Sequence, residues 1–350
     1  MRIAYVLGGM AAVAALLAGC GGGGADGAAP ESVAVTSDAR PEKRPHVPCP
    51  VPSKRLDVTL DGRAGAENIG MLMAERKGYF GDVGLNVLTL VPATPELAAD
   101  YVAAGADDIG ITTQPQAVYT RAIGEPIVAI GSVISKPTAA MIWLKGSGIR
   151  DISDLEGKVI ATPGGSYQEG FLEQVLAKEG LTLDDVEVPF LGYEVVKKLL
   201  DGEVDAIFGG SPNLQGEALE AQGAKPVVTP VRELGIPTYD ELVIVARSKC
   251  VAQHPAMYRH FMTAVRRGTK AAVEDPRAAL QVIEEDIEAD PEASRKQTEA
   301  QLKATLPLLS EGGEMDLARA SDLIAWMHGA EMIEREPSVD RLFTNDYLAP

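Results

Sequence analysis

Two serines stand where a nucleophile could. The stretch "GGSYQ" at 164–168 presents Ser166 and "GGSPN" at 209–213 presents Ser211, each behind a pair of glycines as in a G-x-S-x-G elbow. Neither has the closing glycine that lets strand and helix pack around such a strained turn. Of the histidines, His46 falls in a linker-like segment, while His254, His260 and His328 fall in a helical tail, so no base accompanies either serine. Metal chemistry has no better footing. His254 and His260 would lie on different faces of a helix, and no H-E-x-x-H, C-x-x-C or EF-hand pattern occurs. The acidic run "EEDIEAD" at 284–290 reads as a solvated helix face. We expect no catalytic residue, no metal and no cofactor.

What remains is a set of polar residues at the junctions between elements. Apolar runs such as "LDVTL", "NVLTLV", "DIGIT", "PIVAIGSVI", "MIWLK", "KVIAT", "VEVPFL", "AIFGG" and "ELVIVAR" read as strands. Between them, "ENIGMLMAERKGYF", "PELAADYVAAG", "PQAVYTRAIG", "YQEGFLEQVLAKEG" and "EVVKKLLDG" repeat apolar residues at helical spacing and end near glycine. From His254 onward the pattern is nearly all helical. The alternation predicts an α/β fold with mainly parallel sheets and a helical C-terminal segment. In such folds ligands bind beyond the carboxyl ends of strands. The loops to inspect are therefore 61–68, 112–116, 135–138, 162–169, 209–215 and 238–241.

The N-terminus points to export. Arg2 precedes a short apolar run, and Leu17-Ala18-Gly19-Cys20 resembles the bacterial lipoprotein cleavage box, with Cys20 as the lipidated residue after a signal peptide over 1–19. Residues 20–54, rich in Gly, Pro and small polar types, read as a flexible tether. The formal charge of −18, without a basic cluster, excludes the electrostatic footprint of a nucleic-acid binder. Cys49 and Cys250 form an even pair in an exported chain and could be bonded or free.

Several segments together resemble the substrate-binding proteins of bacterial ABC importers, above all those for thiamine pyrimidine precursors such as formylaminopyrimidine, with alkanesulfonate binders as relatives. They are "AERKGYFGDVGLNV" at 74–87, "DIGITTQPQAVYTRAIGEPIVAIGSVI" at 108–134, "LKGSGIRDISDLEGKVIATPG" at 144–164, "LLDGEVDAIFGG" at 199–210, "LGIPTYDELVIVAR" at 234–247 and "LFTNDYLAP" at 342–350. The resemblance implies a type II periplasmic-binding-protein fold with a hinge and an interlobe cleft. One lobe would comprise 55–138 plus 246–350, and the other 139–245. The implied partners are a small molecule, an ABC permease and the membrane through a lipid anchor facing outward, for a protein that is a monomer and not an enzyme. The implied ligand-binding residues are Asp61, Asn68, Thr113, Gln114, Gly165, Ser166, Tyr167, Glu169, Asn213, Gln215, Tyr239 and Glu241, with Tyr167 and Tyr239 as flanking aromatics. The resemblance departs at "DGRAGAEN" and "SPNLQ", where pyrimidine binders usually carry aromatic residues. A pyrimidine synthase of the same fold and a ligand sensor or scaffold are the alternative readings. The fungal synthase branch uses a cysteine-rich segment and histidine chemistry.

Overall fold

The computed structural model describes residues 4–5, 48–51, 55–95, 97–287 and 295–348. Cys20, the leader apart from residues 4–5, and most of the expected tether lie outside the described residues. The strands are β1 (Ala4–Tyr5), β2 (Arg55–Thr59), β3 (Asn86–Val91), β4 (Ile109–Thr113), β5 (Ile127–Ile134), β6 (Ala140–Leu144), β7 (Ile160–Ala161), β8 (Ala206–Gly210), β9 (Pro226–Pro230) and β10 (Leu242–Arg247). They form a six-stranded sheet in the order β1-β3-β2-β4-β10-β5 and a four-stranded sheet in the order β7-β8-β6-β9. Strands β4, β5 and β10 are buried along their whole length, which is why they read as continuous apolar runs rather than alternating ones.

Both sheets are mixed, a correction to the mainly parallel arrangement expected from the sequence. Pairs β2–β3, β2–β4 and β7–β8 are parallel. Strand β10 runs antiparallel to β4 and β5, and β6 antiparallel to β8 and β9. The chain leaves the first sheet after β5, builds the second, and re-enters between β4 and β5, so β10 arrives from the opposite direction. The outgoing crossing is 135–139 and the return is 231–241. Strand β10 lies wholly in the first sheet. The run "VEVPFL" makes only single bridges at Glu187 and Phe190. Strand β9 instead completes the second sheet at its edge, where its bounding prolines cost no ladder bonds in a central position.

The helices follow the apolar spacing. The run from Glu67 divides into the helices Ile69–Arg76 and Tyr79–Asp82, because Gly78 between them takes a left-handed conformation, φ 75°. The C-terminal part contributes Pro255–Glu274, Pro276–Ile287, Arg295–Thr305 and Leu317–Gly329. One apolar core joins the inner faces of both sheets through Ala117, Trp143, Phe171, Phe208 and Val243. Another fills the far side of the six-stranded sheet against Pro255–Glu274. Cys49 and Cys250 form a disulfide, with Cα atoms 5.1 Å apart. Beside it, Arg247 Nη2 donates to the Pro48 carbonyl at 3.2 Å, so residues 48–49 are fastened to the end of β10. Among the described residues no helix is long and apolar enough to cross a membrane.

Candidate ligand-binding site

A cavity of about 290 Å³ lies where the loops after β2, β4 and β8 meet the two crossings and the C-terminal helices. Its floor is built by the segment after β2. Asn68 Nδ2 donates to Asp61 Oδ1 at 2.9 Å, folding 61–68 back on itself before the helix Ile69–Arg76 begins. This turn brings Asp61, Glu67 and Asn68 to one wall. At the back, Glu241 Oε2 accepts the backbone N–H groups of Thr138 and Ala139 at 2.5 and 3.1 Å. One carboxylate thus joins the outgoing crossing to the returning one.

The far side comes from the element after β8. In the turn Pro212–Gly216, Asn213 Nδ2 donates to Glu67 Oε1 and to Thr305 Oγ1, both at 2.9 Å. Gln301 Nε2 donates to the Leu214 carbonyl at 3.0 Å. A single turn on the second sheet is therefore held against the first-sheet loop and the C-terminal helix Arg295–Thr305. Tyr193 closes the rim: its hydroxyl donates to the Pro92 carbonyl at 3.2 Å, and the Arg63 guanidinium lies 4.7 Å from its ring centroid. Both contacts link residues that precede the first crossing to residues between the two crossings.

The inner wall is acidic. Burial raises Asp61 to about 6, opposed by the Asn68 hydrogen bond. Glu67 rises to about 8, first through burial and then through the neighbouring Asp61 charge, with the Asn213 amide opposing. Burial also lifts Glu241 to about 6 against the two amides it accepts. The basic residues of the lining, Arg63 and Lys197, are exposed at the rim, and Lys197 pairs with Asp201. No histidine or cysteine lines the cavity among the described residues, and no group of three or more His, Cys, Asp or Glu there is arranged to hold a metal ion.

Five residues singled out from sequence, Asp61, Asn68, Thr113, Gln215 and Glu241, line this cavity. Thr113 also caps the helix Gln114–Ala122 by accepting from Gln116 N, and Gln215 accepts from Ser211 within its own turn. Asn213 stands just behind the wall as the bridge described above. The others lie elsewhere. Gln114 is fully buried and accepts from Asp240 N at 3.1 Å, steadying the return crossing. Ser166 and Glu169 are exposed, beside a half-buried Gly165. Tyr167 and Tyr239 are core residues, their rings 4.9 and 6.1 Å from that of Phe171. The aromatic at the cavity is Tyr193, and the missed acid is Glu67. Glu67 carried a faint signal, an acid immediately ahead of an apolar helix that reads simply as favouring its positive end.

Residues 66–279 match the family model described as NMT1/THI5 like. The chain belongs to the NMT1/THI5-like family. It is 28% identical over 284 residues to a thiamine biosynthesis protein of Haemophilus influenzae, covering 81% of this chain and 89% of that one. The formylaminopyrimidine-binding protein of Halalkalibacterium halodurans is 24% identical over 295 residues, covering 83% and 89%. The 4-amino-5-hydroxymethyl-2-methylpyrimidine phosphate synthase of Candida albicans is 29% identical over 237 residues, covering 65% and 70%. Among solved structures, the alkanesulfonate-binding protein SsuA of Xanthomonas axonopodis pv. citri superposes with a TM-score of 0.65 at 16% identity, covering 83% of this chain and 98% of that one. The NMT1/THI5-like chain described here therefore has the periplasmic-binding-protein fold, α/β with a helical C-terminal region.

Proposed function

We propose that this protein is an exported solute-binding protein. Anchored by a lipid on Cys20 and held on the 20–54 tether, it captures a thiamine pyrimidine precursor or related heterocycle and presents it to an ABC import permease. It works as a monomer, with a lobe centred on each sheet closing over the ligand. The observation that carries this reading is the cavity itself, walled by loops of both sheets and bridged across by Asn213. Its size suits a small single-ring molecule. The family, and the relative named for binding formylaminopyrimidine, support the ligand class.

A synthase reading draws on the fungal relative's name. Against it stands a lining without histidine or cysteine. The test is a thermal-shift series with 4-amino-5-hydroxymethyl-2-methylpyrimidine, formylaminopyrimidine and MOPS. A ligand at about 100 times its Kd contributes about 2.7 kcal/mol, so a saturable rise of about 5 °C is expected with a pyrimidine. A rise with MOPS alone would discard the pyrimidine. Formation of a pyrimidine phosphate by the isolated protein would replace binding by catalysis.

A further inference from the structure

The charged groups on the inner wall of the cavity are all acceptors. Three carboxylates, Asp61, Glu67 and Glu241, reach its wall, while the two basic residues of the lining stay at the solvent rim. An independent feature points the same way. Asn68, 2% exposed and part of the lining, spends its amide on Asp61 and leaves Oδ1 buried without a partner. Asn213, 3% exposed, does likewise behind the wall, donating to Glu67 and Thr305 while its Oδ1 is unpartnered. A buried acceptor left unpaired is costly, and a ligand that donates to Asn68 Oδ1 from the cavity removes that cost.

We infer that this cavity selects its ligand by charge, taking a small heterocycle that carries an ammonium or amidinium group and rejecting both the neutral alcohol on the same ring and sulfonates. The inference rests on the solute-binding reading above and adds the charge class to it. Glu67 and Asp61 are the selecting residues, since they converge from one turn and neither has a basic partner in the wall. Bringing a cation between them replaces mutual repulsion with two attractions in a poorly hydrated space. A sulfonate would meet the like charges of Asp61 and Glu241 beside the third acid, Glu67.

The test is calorimetric titration of the full chain at pH 7.5 with three probes: 4-amino-5-aminomethyl-2-methylpyrimidine, an ammonium; 4-amino-5-hydroxymethyl-2-methylpyrimidine, its neutral counterpart; and butanesulfonate. The ammonium is expected to bind at least ~10-fold more tightly than the alcohol, a difference of about 1.4 kcal/mol, with no binding of the sulfonate. In Glu67→Gln the side-chain oxygen can still accept from Asn213, so the fold is kept while the preference shrinks to about 3-fold or less. Asp61→Asn, which can still accept from Asn68, should act in the same direction. Equal or tighter binding of the alcohol would overturn charge selection and leave the pyrimidine receptor standing. A preference surviving intact in both variants would overturn the assignment to these residues. Failure of the ammonium probe to bind would end the inference, and binding of butanesulfonate alone would end the pyrimidine reading with it.

Discussion

Exchanging the Glu67 carboxyl group for an amide removes one of three neighbouring acids while retaining the oxygen to which Asn213 donates. The consequence can be read without any ligand. Asp61 rises from 3.8 to about 6, Glu241 from 4.5 to about 6 and Glu67 from 4.5 to about 8 on folding. Between those limits the folded chain holds more protons than the unfolded one, so stability decreases with pH. The contribution is complete below about pH 4 and is lost as pH rises through 6 to 8. The half-buried Asp154 and Asp185 and the exposed Asp316, lowered mainly by the hydrogen bonds they accept, act in the opposite sense but only below the ordinary aspartate value. The melting temperature of the ligand-free protein should therefore fall by several degrees from pH 5 to pH 8.5. Glu67→Gln should melt higher than wild type at pH 8 and show a flatter profile. A wild-type profile that is level or rises across this range would contradict the buried acidic wall.

The turn bearing Glu67 and Asn68 is only as well placed as the helix that follows it. Helix Ile69–Arg76 crosses Pro255–Glu274 at a point of backbone contact: a Cβ on Gly268 would collide with the Gly70 carbonyl and lie 2.7 Å from Ala74 N. Neither atom can swing aside. Gly268→Ala should cost about 1–3 kcal/mol through overpacking and, by displacing the helix, weaken ligand binding as well. Gly81→Ala, where nothing lies within 4 Å, is the matched control and should leave melting temperature and affinity within error. Equal behaviour of the two variants would show that the crossing does not position the site. At this scale the sequence is readable where periodicity reports burial. The runs that became β4, β5 and β10 are continuous because both faces are covered, and the helices keep their apolar spacing. Strand β9 is hidden because an edge strand bounded by prolines resembles a loop. Tyr167 and Tyr239 sit in loops of the right neighbourhood, but a side chain's direction depends on what it packs against, here Phe171. Glu67 is legible only as a helix-terminal acid, because its second role requires a turn 146 residues away in the chain.

At the scale of the whole molecule, the two sheets share an apolar core and are joined across the cavity by a few polar contacts. Asn213 reaches Glu67 and Thr305, Gln301 reaches Leu214, and Tyr193 reaches Pro92. Each is an ordinary hydrogen bond of about 0.5–1.5 kcal/mol net, while the crossings at 135–139 and 231–241 are joined to each other through Glu241. On the two-lobe reading proposed above, contacts this weak let a ligand shift the population by its own differential affinity. Asn213→Ala removes donors to two segments at once and leaves the Glu67 oxygen without that amide, so the ligand-free variant should favour an open form. By small-angle scattering its radius of gyration should exceed that of the wild type by about 1 Å, against about 19 Å for a compact chain of some 300 residues. Saturating ligand should narrow the gap while its Kd rises about tenfold, the mark of a binding-competent state that has become scarcer. Tyr193→Phe, which keeps the ring beneath Arg63 but loses the bond to Pro92, should do the same to a smaller degree. Identical scattering of wild type and Asn213→Ala, with and without ligand, would mean that the core shared by both sheets, and not this bridge, holds the molecule closed.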